Sequence, residues 1–440
     1  MGLFYSGVRG LLGLGLRAFF REIEIHGRGH VPPKGPCLIL ANHHNALIDP
    51  FLLMAASDRP VSFVAKAPLF RVPLLGAALR GLGAVPAWRT QDPGYAAGKN
   101  LALFEAAAAA MAEGRALGIF PEGQSHLDPR LLEFKHGASR IAFDAASRGL
   151  PVRVLLAGIH YEKTRGFRGK ALVQFGPPLA LEGRLERYAA DPRAATAELT
   201  EDLHGRLSGM VITAESEEVV RLAELVERMG ALDAAGEDDL KSAFERKKTL
   251  LDAYARLRER APAQVEAFRG DLREYQRFLD LLGVRDREIA EDYRAVKVLA
   301  CAARDTLLMG AGLPFMAAGL AGNFVPYLLA WALSRPGRSI DNRASLAFLV
   351  GTLAFPAWWL ALGFLAWRSL GPWAGAAALA AAPLAGAVAL RWMDRWHRVL
   401  RDTWALWRAV TLPGARSRLR RMRSRILKRL QALLAVLRNP

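Results

Sequence analysis

Cysteine is scarce. Cys37 and Cys301 are the two in 440 residues, too few for a disulfide framework and without the paired spacing of a metal site. Both stand in apolar surroundings and read as buried, reduced thiols. Histidine supplies no metal site either: His26 and His30 share an H-x3-H spacing, but it runs through Gly27 and Gly29 in a loop with no third ligand nearby. No period of fixed length repeats, which excludes a solenoid. No small-residue cleavage site follows the apolar, helix-patterned start, and Arg9 and Arg17 interrupt it, so residues 1–21 read as an amphipathic helix lying on a membrane and not as a signal peptide. Charge is missing altogether from residues 306–333, 344–367 and 369–390, stretches of 28, 24 and 22 residues. Each reaches the roughly 20 residues a helix needs to cross a bilayer core.

What is present fits a membrane protein with a substantial soluble core. Hydrophobic residues make up 52% and charged residues 23% of the chain, which excludes disorder. The net charge of +18 calls for an anionic partner, and its distribution favours lipid over nucleic acid. Residues 391–440 hold thirteen arginines and Lys428 against Asp394 and Asp402, a net of +12 directly after the apolar stretches. Such a basic amphipathic tail, with Trp392, Trp396, Trp404 and Trp407 at interfacial depth, suits anionic phospholipid headgroups.

Short β-like runs alternate with helical ones from residue 22 to about 180, the pattern of an α/β fold with a mixed central sheet flanked by helices. Strands are expected at 22–26, 37–41, 61–65, 83–86, 117–120, 152–159 and 171–175, and helices near 48–56, 74–82, 95–113 and 137–148. The domain is expected to end at 185, followed by a helical connector over 186–305 rich in charged amphipathic helix. In the membrane region, 306–390, the first apolar stretch carries Gly310, Gly312, Pro314, Gly319, Gly322 and Pro326 and is expected to be a broken, re-entrant segment, 306–333. The spans are then 344–367 and 369–390, with three full spans as the competing count. Two crossings keep both the catalytic domain and the basic tail cytoplasmic, as the positive-inside bias asks.

Two motifs carry chemistry. In Asn42-His43-His44-Asn45-Ala46-Leu47-Ile48-Asp49, four residues separate His44 from Asp49. On a regular helix five positions rotate about 500°, which would splay the two side chains apart. They meet only if His44 lies in the turn entering the helix, where Asp49 can fold back to hold one imidazole nitrogen while the other faces a hydroxyl. In Phe120-Pro121-Glu122-Gly123-Gln124-Ser125-His126, an apolar strand ends in a turn that offers backbone N–H groups and a carboxylate at its C-terminal edge. Ser125 lacks the strand–nucleophile–helix pentapeptide of hydrolases, which argues against covalent catalysis.

With Gly83-Ala84-Val85-Pro86-Ala87-Trp88-Arg89 between these two motifs and the apolar strand 152–159 after them, the chain resembles the glycerophospholipid acyltransferases over about residues 20–180. Phe134-Lys135-His136-Gly137-Ala138 matches the family's Lys-x-Gly-Ala segment. Ala65-Lys66-Ala67-Pro68, Glu122-Gly123-Gln124-Ser125-His126 and His160-Tyr161-Glu162-Lys163 are similar to the fungal-type glycerol-3-phosphate/dihydroxyacetone-phosphate branch and its bacterial relatives. Gln124-Ser125 replaces the Thr-Arg of many lysophosphatidate acyltransferases, and Leu156-Ala157-Gly158 lacks the usual proline.

The resemblance implies the glycerolipid acyltransferase fold and transfer of a fatty acyl group from acyl-CoA or acyl-ACP, a donor substrate and not a cofactor, to glycerol 3-phosphate or 1-acylglycerol 3-phosphate. It makes His44 the general base and Asp49 its orienting partner. Arg89 would pair with the acceptor phosphate, Glu122 and Gly123 would shape and bind the glycerol-phosphate pocket, and Lys135 would give a second cation. No metal is implied. Dihydroxyacetone phosphate, another lysophospholipid, or an inactive lipid-binding role are the alternatives.

Overall fold

The computed structural model describes residues 2–88, 98, 101–162, 167–233, 239–290, 295–335, 340–411 and 413–438. They form two compact units, Met1–Thr213 with Ala330–Thr352, and Ala214–Leu329 with Leu353–Pro440.

In the first unit the apolar runs pair into a sheet of eight strands: β1 (Glu22–His26), β2 (Cys37–Ala41), β3 (Val61–Lys66), β4 (Val85–Ala87), β5 (Ala116–Ile119), β6 (Arg153–Tyr161), β7 (Lys170–Phe175) and β8 (Leu179–Ala180). The order is β1-β7-β6-β2-β5-β3-β4, with β8 on β6. Pairing is parallel except where β6 meets β7 and β8. The sheet is therefore mixed, as expected. Strand β2 has no polar position because it is central and covered on both faces. Its alternating side chains feed two cores. Cys37, Ile39 and Ala41 pack with the helices Leu3–Phe19 and Ile48–Ala56. Leu38 and Leu40 pack with the helices Leu101–Ala112, Gly137–Ser147 and Pro192–Ser208. Burial pushes the Cys37 thiol up to about 12 against the opposing charge of Arg59, so it stays an inert thiol.

Two expectations change here. Helix Pro192–Ser208, placed beforehand in the connector, buries Leu199, Leu203 and Leu207 against the sheet, so the unit runs to Thr213. Helix Leu3–Phe19 buries Tyr5, Leu12, Leu16 and Phe19 in protein and leaves only its outer edge to a membrane.

In the second unit, helices Glu217–Asp233, Leu240–Arg260, Pro262–Leu282 and Pro413–Arg438 share an apolar core that includes Leu225, Met229, Tyr275, Leu279, Leu419 and Ile426. Arg423 adds a bridge to Asp286, 3.2 Å away. The apolar face of the tail helix, expected in lipid, is thus buried against the helices that precede the apolar stretches, because they present a matching apolar seam. Among the described residues three helices are long and apolar enough to cross a membrane: Thr306–Ser334, Arg343–Leu370 and Pro372–Trp396. The first is not the broken segment expected: helix Ala295–Ser334 runs on through Pro314 and Pro326. Each proline deletes its own backbone donor but keeps a helical φ, and such losses are absorbed where neighbouring helices pack closely. Buried Asn323 ties these helices together, donating to the Ala382 carbonyl at 3.2 Å and accepting from Trp359 Nε1 at 2.7 Å. Interhelical bonds of this kind hold helices together where the hydrophobic effect cannot.

Candidate active site

Strands β2 and β5 are parallel neighbours, so their C-terminal ends release the chain side by side. The segments after them, 42–49 and 120–126, therefore face one another at the edge where open α/β sheets bind ligands. Backbone bonds stitch them: the His126 N–H donates to the His43 carbonyl at 3.1 Å, and the His43 N–H donates to Glu122 Oε1 at 2.8 Å.

Asp49 lies in the first turn of helix Ile48–Ala56 and is fully buried. Its Oδ2 accepts from the backbone N–H groups of His44 (2.7 Å) and Asn45 (2.8 Å) and from the His43 ring Nδ1 (2.8 Å). Its Oδ1 accepts from the Tyr161 hydroxyl. Burial and the adjacent Asp49 charge hold the Tyr161 hydroxyl well above its usual range, so it remains a neutral donor.

The expected ring contact between His44 and Asp49 is made by His43 instead. The turn aims the His44 amide, not its imidazole, at the carboxylate. The His44 ring turns toward the β5 segment, its Nδ1 3.2 Å from the His126 carbonyl. A carbonyl only accepts, so Nδ1 carries the proton and Nε2 keeps the lone pair. The same holds for His43, whose Nδ1–H points at a carboxylate. The His43 ring also stacks on Phe120, with centroids 4.0 Å apart.

Glu122, expected on the substrate, points inward. Its side chain is fully buried, and besides the His43 amide it accepts from the Leu132 N–H at 3.0 Å and from His126 Nε2. Burial opposes the imidazolium form of His126, but its bond to Glu122 and the charges of Glu122 and Asp128 outweigh that and raise its pKa. Gly123 has φ +73°, and a Cβ there would stand 3.0 Å from Lys135 Nζ. The exposed Lys135 thus lies directly over the Glu122–Gly123 turn, anchored by its own N–H to the Pro121 carbonyl at 2.9 Å. Arg89 lies outside the described residues. Among the described residues no cluster of three or more His, Cys, Asp or Glu side chains could hold a metal ion.

Sequence reading missed His43, His126 and Tyr161. The His-His doublet, the four-residue step from Glu122 to His126, and the inward alternation of β6 were the signals available.

Residues 22–155 match the family model described as Acyltransferase. Glycerol-3-phosphate O-acyltransferase 2 of Saccharomyces cerevisiae is 26% identical over 178 residues, 40% of this chain and 24% of the yeast protein. The 1-acyl-sn-glycerol-3-phosphate acyltransferase of Borreliella burgdorferi is 30% identical over 131 residues, 30% of this chain and 50% of the bacterial protein. The chain therefore spans half or less of either relative. The crystal structure of the 1-acyl-sn-glycerophosphate acyltransferase PlsC from Thermotoga maritima aligns with a TM-score of 0.34 at 19% identity, covering 46% of this chain and 80% of that one. The segment that supplies both motifs, residues 22–155, is thus the part of the chain that is similar to the Acyltransferase family.

Proposed function

We propose that the protein is a membrane-bound O-acyltransferase that moves a fatty acyl group from acyl-CoA or acyl-ACP to glycerol 3-phosphate or 1-acylglycerol 3-phosphate in phospholipid synthesis. The observation that carries this reading is the joined turn at the ends of β2 and β5, where the His44 amide bonds to buried Asp49, the His44 ring lies with Nδ1 3.2 Å from the His126 carbonyl, and the Lys135 ammonium lies over the Glu122–Gly123 turn. The names of the yeast and bacterial relatives support the two acceptors.

His44 Nε2 takes the proton of the acceptor hydroxyl, and that oxygen attacks the thioester carbonyl. Backbone donors near the motif stabilise the tetrahedral oxyanion. Collapse breaks the C–S bond, and the leaving thiolate recovers the proton from His44. Asp49 fixes the turn and offsets the passing imidazolium charge. Lys135, together with Arg89, pairs with the acceptor phosphate. Glu122 acts by holding His126 and the His43 amide, and Gly123 by leaving room for Lys135. The donor is a substrate, and the scheme uses no cofactor or metal.

One observation favours a second assignment within this mechanism. His43, not His44, has the Asp49 carboxylate on its ring, the arrangement that best stabilises an imidazolium. Single alanine variants at the two positions separate the assignments. Membranes from cells expressing the protein, supplied with labelled acyl-CoA or acyl-ACP and with glycerol 3-phosphate, dihydroxyacetone phosphate or lysophospholipids in turn, decide the substrates. No transfer to any acceptor refutes the reading.

The packing of the tail helix on Glu217–Leu282 supports an even number of crossings, because both flanks of the membrane region then lie on one side. The pair joined by the tight Gly371–Pro372 turn, Arg343–Leu370 and Pro372–Trp396, makes those two crossings, with the catalytic domain and basic tail cytoplasmic. Membrane-impermeant labelling of cysteines placed at positions 250 and 425 checks this. Labelling of the two from opposite sides contradicts it.

A further inference from the structure

The first unit carries an apolar projection that neither its core nor its proposed chemistry uses. Leu74 is 87% exposed and has φ +62°, a conformation costly for a branched apolar side chain. Val72 beside it is 46% exposed. The projection is braced: the Gly76 N–H donates to the Val72 carbonyl and the Ala78 N–H to the Leu74 carbonyl, each at 2.8 Å, and Arg80 donates to the Phe70 carbonyl at 3.1 Å. A strained, rigidly supported leucine held in water needs a partner.

Phe4 links this projection to the N-terminal helix. Its ring lies against Gly81, where a Cβ would collide with it, so Leu3 and Phe4, also exposed, adjoin the helix that follows Leu74. The charge around this face has one sign. No acidic residue precedes Glu22 or lies between Asp58 and Asp92, while Arg9, Arg17, Lys66, Arg71 and Arg80 fall in those stretches. Arg71 and Arg80, on either side of the projection, are both exposed. Apolar tips ringed by arginine match an anionic bilayer: the side chains enter the acyl boundary while the guanidinium groups stay at the phosphates.

We propose that Val72–Leu74 is a second membrane-inserting element, which acts with the exposed edge of helix Leu3–Phe19 to seat the catalytic unit on an anionic lipid surface. This rests on the reading of the chain as a membrane protein.

The test uses the full chain with Cys301→Ser; Cys37 is buried and left in place. An environment-sensitive fluorophore is attached at Leu74→Cys, at Val72→Cys, or at Glu198→Cys, an exposed position on helix Pro192–Ser208 of the same unit, in phosphatidylcholine/phosphatidylglycerol vesicles. At 72 and 74, emission shifts to the blue, nitroxide lipids quench it severalfold more than at 198, and aqueous iodide quenches it severalfold less. Iodide quenching at 72 and 74 equal to that at 198 overturns the proposal. A blue shift without lipid quenching also overturns it, in favour of contact with a second protein. Flotation of the vesicles keeps the two readings apart: protein that does not float refutes membrane attachment itself, whereas floating protein with a water-exposed label refutes only the inserting element.

Discussion

Replacing Asp49 by asparagine removes one charge from the centre of the site while keeping its shape. The amide oxygen can take the place of Oδ2 and keep the His43 ring and the His44 and Asn45 amides, at 2.7–2.8 Å in the native site. The NH2 group then meets Tyr161, whose hydroxyl must rotate to accept. A hydrogen bond to a charged group contributes about 1.5–3 kcal/mol and a neutral one about 0.5–1.5, so each of these bonds weakens by about 1 kcal/mol. The imidazolium formed in the transition state also loses its counter-charge. Together these predict a loss of about 3–4 kcal/mol, or roughly 10²- to 10³-fold in kcat, in a variant that still folds. Asp49→Ala instead strands four donors, the His44 and Asn45 amides, the His43 ring and the Tyr161 hydroxyl, at about 1–3 kcal/mol each, and unfolds the turn. Initial rates of labelled acyl transfer, read beside thermal unfolding of the detergent-solubilised protein, measure both effects. Native kcat in Asp49→Asn, or native stability in Asp49→Ala, refutes this reasoning.

Glu122→Gln is expected to lower kcat while leaving the acceptor KM within about twofold, because the carboxylate is enclosed and acts through its neighbours; a large rise in KM with native kcat would place Glu122 on the substrate instead. The same variant should change how stability depends on pH. His126 has its pKa raised in the fold above the ordinary 6.5, so the Glu122 pair stabilises fully below that value and the contribution fades as pH rises through the raised value. Unfolding followed from pH 5 to 9 should show this fade in the native protein and not in Glu122→Gln. Lys135→Ala should raise the KM for a phosphorylated acceptor about tenfold with little change in kcat, and an unchanged KM removes Lys135 from the phosphate site. Gly123→Ala combines a positive φ with displacement of the Lys135 side chain, so the acceptor KM should rise and stability fall by about 1–2 kcal/mol, read by kinetics and thermal unfolding.

The sheet was legible because its strands are the apolar runs themselves. The expected 22–26 and 37–41 coincide with β1 and β2, and the helix after β2 with Ile48–Ala56. The two-residue β8 is too short to leave a pattern. The site was legible as a pair of strand-end motifs, but not as a set of contacts. Spacing along the chain names His44 and Asp49, yet a turn decides which atoms meet, and here it directs the His44 amide and the His43 ring to the carboxylate. The inward direction of Glu122 depends on His126 and on the Leu132 amide, donors that strand periodicity does not order. In the apolar stretches, glycine and proline density suggested a break in 306–333. Packing through Asn323 and two tryptophans supports a continuous helix that local propensity alone would not. The tail's amphipathic pattern was sound, but amphipathicity does not say whether lipid or protein covers the apolar face.

Acyl transfer by His44→Ala and His43→Ala, compared in the same membranes with equal protein levels and each variant's fold checked by thermal unfolding, bears most closely on the identity of the base. His44→Ala should lose at least about 10³-fold in rate, the scale of a lost general base, and His43→Ala, which weakens only the support of Asp49, should lose markedly less. Turnover retained in His44→Ala, with loss confined to His43→Ala, would contradict the assignment and move the proton transfer to the ring that Asp49 holds.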